Sequence, residues 1–222
     1  KIGGEYALWP LITDYFPWQT NGVKAGRTWV VGPSKENLVE KLSCLLKASH
    51  DNQRDMFKDS PTGKKFGDTP NQLPPNQEKL VSLAKVKDAA SIRLTRYSYR
   101  SFDRQYLISD ARFLDRPGPS LWQTHSKEQV YLTSSFTNPL GGGPALTVAG
   151  DIPDLHHFCN RGAEDIVPLY RDAAATEANI IPGLLELLSS TYGQKVSPQD
   201  FAGYVYGILA QPEYTRRFAK DL

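Results

Sequence analysis

Arginine and aromatic side chains are interleaved through one stretch of the sequence, residues 92–122. The stretch contains three aspartates and no lysine, and its six arginines are Arg93, Arg96, Arg100, Arg104, Arg112 and Arg116. A guanidinium group makes paired contacts to a phosphate or to the edge of a guanine, and it stacks on flat rings. An excess of three positive charges beside aromatic rings is therefore typical of a groove that binds nucleic acid.

The same composition also fits a purely structural role. Asp103, Asp110 and Asp115 can pair with arginines, and the aromatic side chains of the stretch can fill the core of a sheet. Ion-pair networks are common in folded proteins and do not by themselves indicate a binding site. We expect Asp103 and Asp115 to orient arginines rather than to contact a ligand.

Five short motifs, in a fixed order along the chain, resemble one protein family. Residues 99–106 (YRSFDRQY), with 110–112 (DAR) and 114–117 (LDRP), are similar to segments of the C-terminal target-recognition part of type ISP restriction–modification proteins. The resemblance also includes residues 16–18 (FPW) with 22–29 (GVKAGRTW), 152–158 (IPDLHHF) and 204–214 (YVYGILAQPEY). Proteins of this kind join a nuclease, a helicase-like motor, an adenine-N6 methyltransferase and a specificity domain in one polypeptide.

The resemblance implies that the chain is a non-catalytic specificity domain that recognises double-stranded DNA by its sequence. Its partners would be that DNA and the adjacent methyltransferase and helicase domains. S-adenosylmethionine, ATP and magnesium are expected for the parent polypeptide, and no cofactor is expected in this chain. The resemblance also places Lys24 and Arg27 near the methyltransferase. The predicted DNA-binding residues are Lys24, Arg27, Arg93, Arg96, Arg100, Arg104, Arg112 and Arg116.

The elements that position these residues are predicted to form an α+β fold. It has a mixed or antiparallel central sheet, an N-terminal helical connector, and C-terminal helices packed on the sheet. Residues 1–78 are predicted to form the connector, with one amphipathic helix capped by Ser34 and a mobile loop over residues 50–78. Residues 79–222 are predicted to form the target-recognition domain, which can be continuous with the connector.

Hydrophobic periodicity places the individual elements. Alternation with a period of two predicts strands from residue 92 and over 105–109, 129–135, 145–150 and 166–170, and residues 28–31 are the first β-like run. Helices are predicted after Gly183, after the Ser197 cap, and over 213–222. The second of these helices carries a predicted buried stripe of Phe201, Tyr204, Val205, Ile208 and Leu209.

Several catalytic and metal-binding motifs are absent from the sequence. The glycine run at residues 141–143 lacks the lysine and hydroxyl residue of a phosphate-binding loop, and residues 138–141 (NPLG) lack the second proline and the aromatic residue that hold a flipped adenine. The neighbours His156, His157 and Cys159 do not have the spacing of a zinc site. No hydrolytic triad is indicated among four scattered histidines. We therefore predict no catalytic residue and no metal site in this chain.

Charge and composition give further limits. Residues 1–130 carry twenty basic and fourteen acidic side chains, whereas residues 131–222 carry six and ten, so a polyanion is expected to bind the first part. Two distant cysteines and the lack of a signal peptide or a long apolar run favour a reducing cytoplasm. Because the chain begins at Lys1, we expect it to be part of a longer polypeptide.

Two other classes of function remain compatible with the sequence. One is a protein–protein docking module, in which the aromatic-rich strands bind a neighbouring domain and the DNA contacts lie elsewhere. The other is a hydrolase with a dispersed site. The salt dependence of binding distinguishes the first alternative, because phosphate contacts weaken steeply as salt rises. Metal dependence or turnover of a substrate would distinguish the second.

Overall fold

The structure is a computed structural model, and it describes most of the 222 residues. The described residues are 6, 8–48, 57, 69–135, 140, 142–158 and 165–222, with the side chain of residue 165 left out. Most of the predicted mobile loop, the NPLG segment apart from Leu140, and Cys159 lie outside the described residues.

Two four-stranded sheets form the framework of the described chain. The first has the strand order β1-β8-β5-β6 and is antiparallel throughout. Its strands are β1 (Thr20–Asn21), β5 (Tyr131–Ser134), β6 (Thr147–Ala149) and β8 (Asp165–Pro168). All four described side chains of β5 are buried, as expected for a strand covered on both faces.

The second sheet contains most of the arginine stretch. Its order is β2-β4-β3-β7, from strands β2 (Val31–Gly32), β3 (Leu94–Arg100), β4 (Asp103–Ile108) and β7 (Ile152–Pro153). Strand β7 is parallel to β3, and the other two pairings are antiparallel. The α+β prediction with mixed or antiparallel strands is thus confirmed, with the strands divided between two sheets.

The N-terminal helix of the predicted connector is α2 (Lys35–Lys47), which follows the short α1 (Ile12–Tyr15). Ser34 caps α2 as predicted, because its Oγ accepts a hydrogen bond from the Asn37 amide at 3.2 Å. Its buried residues are Leu38, Leu42 and Leu45. The β-like run before it is only partly a strand, since Thr28–Val30 forms a 3₁₀ turn and the strand begins at Val31.

One continuous hydrophobic core joins the two regions that the sequence analysis separated. Leu38, Leu42 and Leu45 of α2 lie in the same buried cluster as Tyr97 and Leu107 of the second sheet. The cluster also contains Leu121 and Trp122 from α3 (Pro119–Gln123), so it spans residues on both sides of the predicted boundary at 78. This packing is compatible with the continuous-domain form of the prediction.

The C-terminal helices are α4 (Leu184–Tyr192), α5 (Pro198–Leu209) and α6 (Pro212–Arg217). Phe201 and Ala202 of α5 pack against Leu132 and Val167 of the first sheet. The predicted buried stripe of α5 is wrong in part, because the Tyr204 side chain is 66% exposed and Ile208 is also exposed. Val205 and Leu209 of the same stripe are partly buried against the core of the first sheet.

No described helix is both long enough and apolar enough to cross a membrane.

Candidate nucleic-acid interface

One face of the β3–β4 pair carries exposed positive charge around an aromatic ring. Arg96 is directly opposite Tyr106 across the two strands, and Ser98 is opposite Arg104, so these side chains share a face. The Arg96 guanidinium carbon lies 4.8 Å from the Tyr106 ring centroid, and the Lys35 amine lies 5.8 Å from it. We call Lys35, Arg96, Arg104 and Tyr106 the basic face.

The charges of the basic face are directed to solvent. Lys35, Arg96 and Arg104 are all exposed, and none of them forms an ion pair with a described residue. The aromatic contacts fix the direction of Arg96, since a guanidinium over a ring is held by the ring's negative face. An exposed cluster of unpaired cations attracts an anion most strongly at low salt.

The turn between β3 and β4 presents an aromatic side chain. Phe102 lies at this turn and is 96% exposed, the largest exposed fraction of any large hydrophobic residue described. A pocket of 490 Å³ opens beside it, lined by Arg100, Ser101, Phe102, Asp103, His156, His157 and Phe158. The arginine and hydroxyl groups there are hydrogen-bond donors next to an apolar ring.

Arg100 is held rigidly at the base of this turn. Its Nη1 donates to Asp154 Oδ1 at 2.9 Å, and its guanidinium carbon lies 3.9 Å from the Tyr99 ring centroid. Asp154 is buried and also accepts hydrogen bonds from the Tyr97 hydroxyl and the His156 amide. Burial, reinforced by the Asp154 charge, raises the pKa of Tyr97 well above its ordinary value, so this phenol stays protonated as a donor.

Three of the predicted DNA-binding arginines are directed into the protein. Arg112 is 3% exposed and pairs with buried Asp110 through both carboxylate oxygens. Arg27 is 4% exposed and donates to the Phe113 carbonyl. Arg93 donates to the Pro74 carbonyl at 2.8 Å and lies over the Trp122 ring. Burial lowers the pKa of Arg93 from its ordinary value, although a guanidinium remains charged.

Lys24 and Arg116 form a separate pair. Their backbones exchange two hydrogen bonds, of 2.9 and 3.0 Å. The Lys24 amine lies 2.9 Å from Asp115 Oδ2, so Lys24 is partly neutralised, whereas the Arg116 side chain is exposed. Asp103, for its part, accepts a hydrogen bond from Gln105. Within the described part of the chain, Asp110 and Asp154 each form an ion pair with an arginine of the stretch.

The structure therefore divides the eight predicted residues by location, and their role in binding stays a prediction. Arg96, Arg100 and Arg104 come together on or beside the β3–β4 pair. Arg27, Arg93 and Arg112 instead donate hydrogen bonds to backbone carbonyls within the protein. Lys35 is a basic-face residue that is not among the eight predicted residues. The position of Lys35 in the first turn of α2 can be read from the sequence. Its distance from Tyr106 cannot, because that distance depends on how α2 packs.

His157 connects the two sheets and makes the protein sensitive to acid. It is 2% exposed, its Nδ1 lies 3.1 Å from Thr133 Oγ1 of β5, and its carbonyl accepts from Ser101 Oγ at 2.9 Å. Burial, with a contribution from Arg100, lowers the pKa of His157 from 6.5 to about 4. The folded protein therefore holds this imidazole neutral at a pH where the unfolded chain protonates it.

We predict that acidification destabilises the protein through His157. Its stabilising contribution is complete above the unfolded pKa of 6.5 and declines as the pH falls towards about 4. At about 1.4 kcal/mol for each pKa unit, the loss is about 3 kcal/mol. Urea unfolding across this range, with His157→Gln as the comparison, measures it. The variant should lose less stability than the parent, and parallel curves for the two proteins would contradict the assignment.

Fold and surface together define an α+β domain with an exposed basic and aromatic sheet face. A family model described as the type ISP C-terminal specificity domain matches residues 14–222. The chain belongs to this family, as the sequence motifs predicted. A search of curated proteins found no match.

Three solved structures are similar to the chain, each at 17% sequence identity. They are a DrdV–DNA complex determined by cryo-electron microscopy, the ATP-dependent type ISP restriction–modification enzyme LlaBIII bound to DNA, and a nuclease-deletion mutant of the type ISP enzyme LlaGI with a DNA substrate mimic. The TM-scores are 0.54, 0.52 and 0.52, over 92%, 94% and 96% of this chain. The chain spans 20%, 14% and 16% of those chains, so the likeness concerns one domain of much larger proteins.

Proposed function

We propose that this domain recognises double-stranded DNA by its sequence, as the specificity domain of a type ISP restriction–modification enzyme. Family membership supports the proposal, and three proteins of similar fold have been solved with DNA or a DNA mimic. The observation that carries it is the basic face, where Lys35, Arg96 and Arg104 are exposed around Tyr106. A protein that binds a duplex needs such unpaired cations for its phosphates.

The basic face can divide two tasks between its residues. Exposed lysine and arginine side chains neutralise phosphates and set the register of the protein on the duplex, which carries no sequence information. A guanidinium whose direction is fixed can instead make a paired contact with a guanine edge. Arg96 suits the second task because the Tyr106 ring orients it, whereas Arg104 and Lys35 suit the first.

The domain is proposed to be non-catalytic. S-adenosylmethionine, ATP and magnesium would serve the methyltransferase, helicase and nuclease parts of the parent polypeptide, which are its proposed partners. The described residues contain no group of three histidine, cysteine or acidic side chains that could hold a metal ion. Methylation of adenine by the purified chain, with only the methyl donor added, would overturn this part of the proposal.

We predict that removing Arg96 and Arg104 weakens DNA binding in a salt-dependent manner. Binding to duplexes selected from a randomised pool is measured by fluorescence anisotropy between about 50 and 200 mM salt. The slope of log K against log salt should fall by about one for each phosphate that the variant no longer neutralises, and removal of a base-reading side chain should cost roughly 1–3 kcal/mol at one base pair. If Arg96 reads a base, the variant that lacks it should therefore discriminate less between sequences at one base pair.

The matched control for this experiment is Arg171→Ala. Arg171 is also an exposed arginine, but it follows β8 of the other sheet and pairs with Glu177 at 3.3 Å. Its replacement removes the same kind of charge from a different surface, so binding should change little. Equal effects from Arg171→Ala and Arg104→Ala, each of which removes one positive charge, would show that net charge alone governs binding, and would contradict the proposed face.

A docking role for another surface is compatible with this function. Leu187 and Tyr192 of α4 are exposed, as are Tyr204 and Ile208 of α5. These two helices contain no lysine or arginine, so a DNA contact there is disfavoured. A neighbouring protein domain is the alternative partner for this apolar surface, and its association should respond little to salt.

A further inference from the structure

The exposed Phe102 at the β3–β4 turn has no role in the fold of the described chain. The second large phenylalanine of the stretch, Phe113, is fully buried, which shows where such a side chain is stable. An aromatic ring that is exposed to water does not gain the stabilising free energy that a buried ring gains. A ring that protrudes from a turn can recover this energy only when a partner covers it.

The turn holds Phe102 on a rigid support. Strands β3 and β4 are paired from Leu94 opposite Ile108 to Arg100 opposite Asp103. Ser101 Oγ donates to the His157 carbonyl at 2.9 Å, and Arg100 is bound to buried Asp154. The backbone on both sides of Phe102 is therefore fixed, so that inserting the ring into a partner costs little ordering entropy.

The charges around Phe102 indicate the chemistry of the partner. The basic face lies on the same two strands, with Arg104 two residues beyond Phe102. Arg100 is neutralised by Asp154, so the net positive potential comes from Arg96, Arg104 and Lys35. A partner that is both polyanionic and able to stack on a ring fits this surface, and duplex DNA has both properties at a base step that is opened.

We propose that Phe102 is a wedge that inserts between two adjacent base pairs of the DNA bound by this domain. Apolar side chains that enter a base step unstack it and kink the duplex. The 490 Å³ pocket beside the ring, which Arg100 and Ser101 line, gives the displaced backbone room. This inference rests on the proposed function, since it requires that the basic face bind DNA.

Phe102→Ala tests the wedge without threatening the fold, because the side chain contacts solvent. The probe is a duplex selected by the wild-type chain, with 2-aminopurine replacing adenine at successive positions. Wild-type protein should raise the fluorescence at one base step through unstacking, and Phe102→Ala should abolish that rise. The variant should bind about tenfold or more weakly with an unchanged salt slope, since it cannot stack on a base but still neutralises the same phosphates.

Phe102→Leu and the Arg96, Arg104 double variant complete the test. Leucine is also an effective wedge, so it should restore much of the fluorescence rise, whereas the double variant should lower the salt slope. If wild-type protein binds no duplex, the proposed function fails. If it binds with a steep salt slope but raises no fluorescence, or if Phe102→Ala binds as tightly as wild type, only the wedge is overturned. If the wedge is overturned, the association of Phe102→Ala with the methyltransferase part should be compared with that of the wild type, because a protein partner would then be the candidate that covers the ring.

Discussion

Arg112→Ala should lower the free energy of unfolding by about 3–5 kcal/mol. Arg112 Nε donates to Asp110 Oδ1 at 2.9 Å, and Nη2 donates to Oδ2 at 2.6 Å. A third donor, Nη1, reaches the Val81 carbonyl at 2.7 Å. Because Asp110 is only 1% exposed, removing its cation leaves a buried carboxylate with few compensating donors. Chemical denaturation of the two proteins measures the loss.

The control for Arg112→Ala is Arg104→Ala, from the same stretch. Arg104 is exposed and forms no ion pair with a described residue, so its replacement should change stability by no more than about 0.5 kcal/mol. The DNA affinities should show the reverse order. Arg104→Ala should bind DNA more weakly than the wild type, whereas Arg112→Ala should keep the wild-type affinity under conditions in which it is folded. If Arg112→Ala unfolds at the wild-type denaturant concentration and no longer binds DNA, Arg112 is a contact residue rather than part of the interior.

Gly22→Ala should destabilise the protein by about 3 kcal/mol, at the upper end of the range for overpacking. A Cβ atom at Gly22 would lie 2.5 Å from the Asp154 carbonyl oxygen and 2.8 Å from the Leu155 nitrogen. Both are backbone atoms, so no side chain can rotate to relieve the clash. The adjacent hydrogen bonds, from Val23 N to Pro153 O and from Leu155 N to Val23 O, hold the two segments together and would lengthen.

Gly203→Ala is the matched control, and its expected sign is opposite. Gly203 lies within α5, and apart from its chain neighbours and the backbone of its own helix a Cβ atom there would meet nothing within 4 Å. Alanine should therefore stabilise this helix by about 0.5–1 kcal/mol. Thermal melts of the two variants should shift in opposite directions. Equal melting temperatures would mean that the segments around Gly22 can separate without cost.

Local signals in the sequence predicted several elements correctly. Ser34 caps α2, and Ser197 caps α5 by accepting from the Asp200 amide at 3.1 Å. These predictions succeed because a cap depends on residues within one turn of each other. The alternating pattern from residue 92 likewise predicted strand β3, whose Tyr97 is buried and whose Arg96 is exposed.

Local signals failed where a partner surface was needed. The periodicity of α5 predicts a buried Tyr204, yet Tyr204 is exposed, whereas Phe201 is buried and Val205 and Leu209 are partly buried against the core of the first sheet. A hydrophobic stripe shows which face of a helix can pack, but its burial depends on what lies opposite. Asp103 accepts a hydrogen bond from Gln105 of the same strand, and its proposed role in orienting an arginine stays a prediction.

The sequence alone determined the family, the α+β class and the stretch in which the candidate contacts lie, since motifs and periodicity are properties of neighbouring residues. Only the tertiary structure decided which arginines are free to bind. Arg96 and Arg112 are alike in the sequence, but the side chain of one lies against Tyr106 at the surface and that of the other reaches Val81, 31 residues away. Lys35 joins the site for the same reason, because the packing of α2 places its amine near Tyr106. Burial depends on contacts between distant segments, and no local pattern contains them.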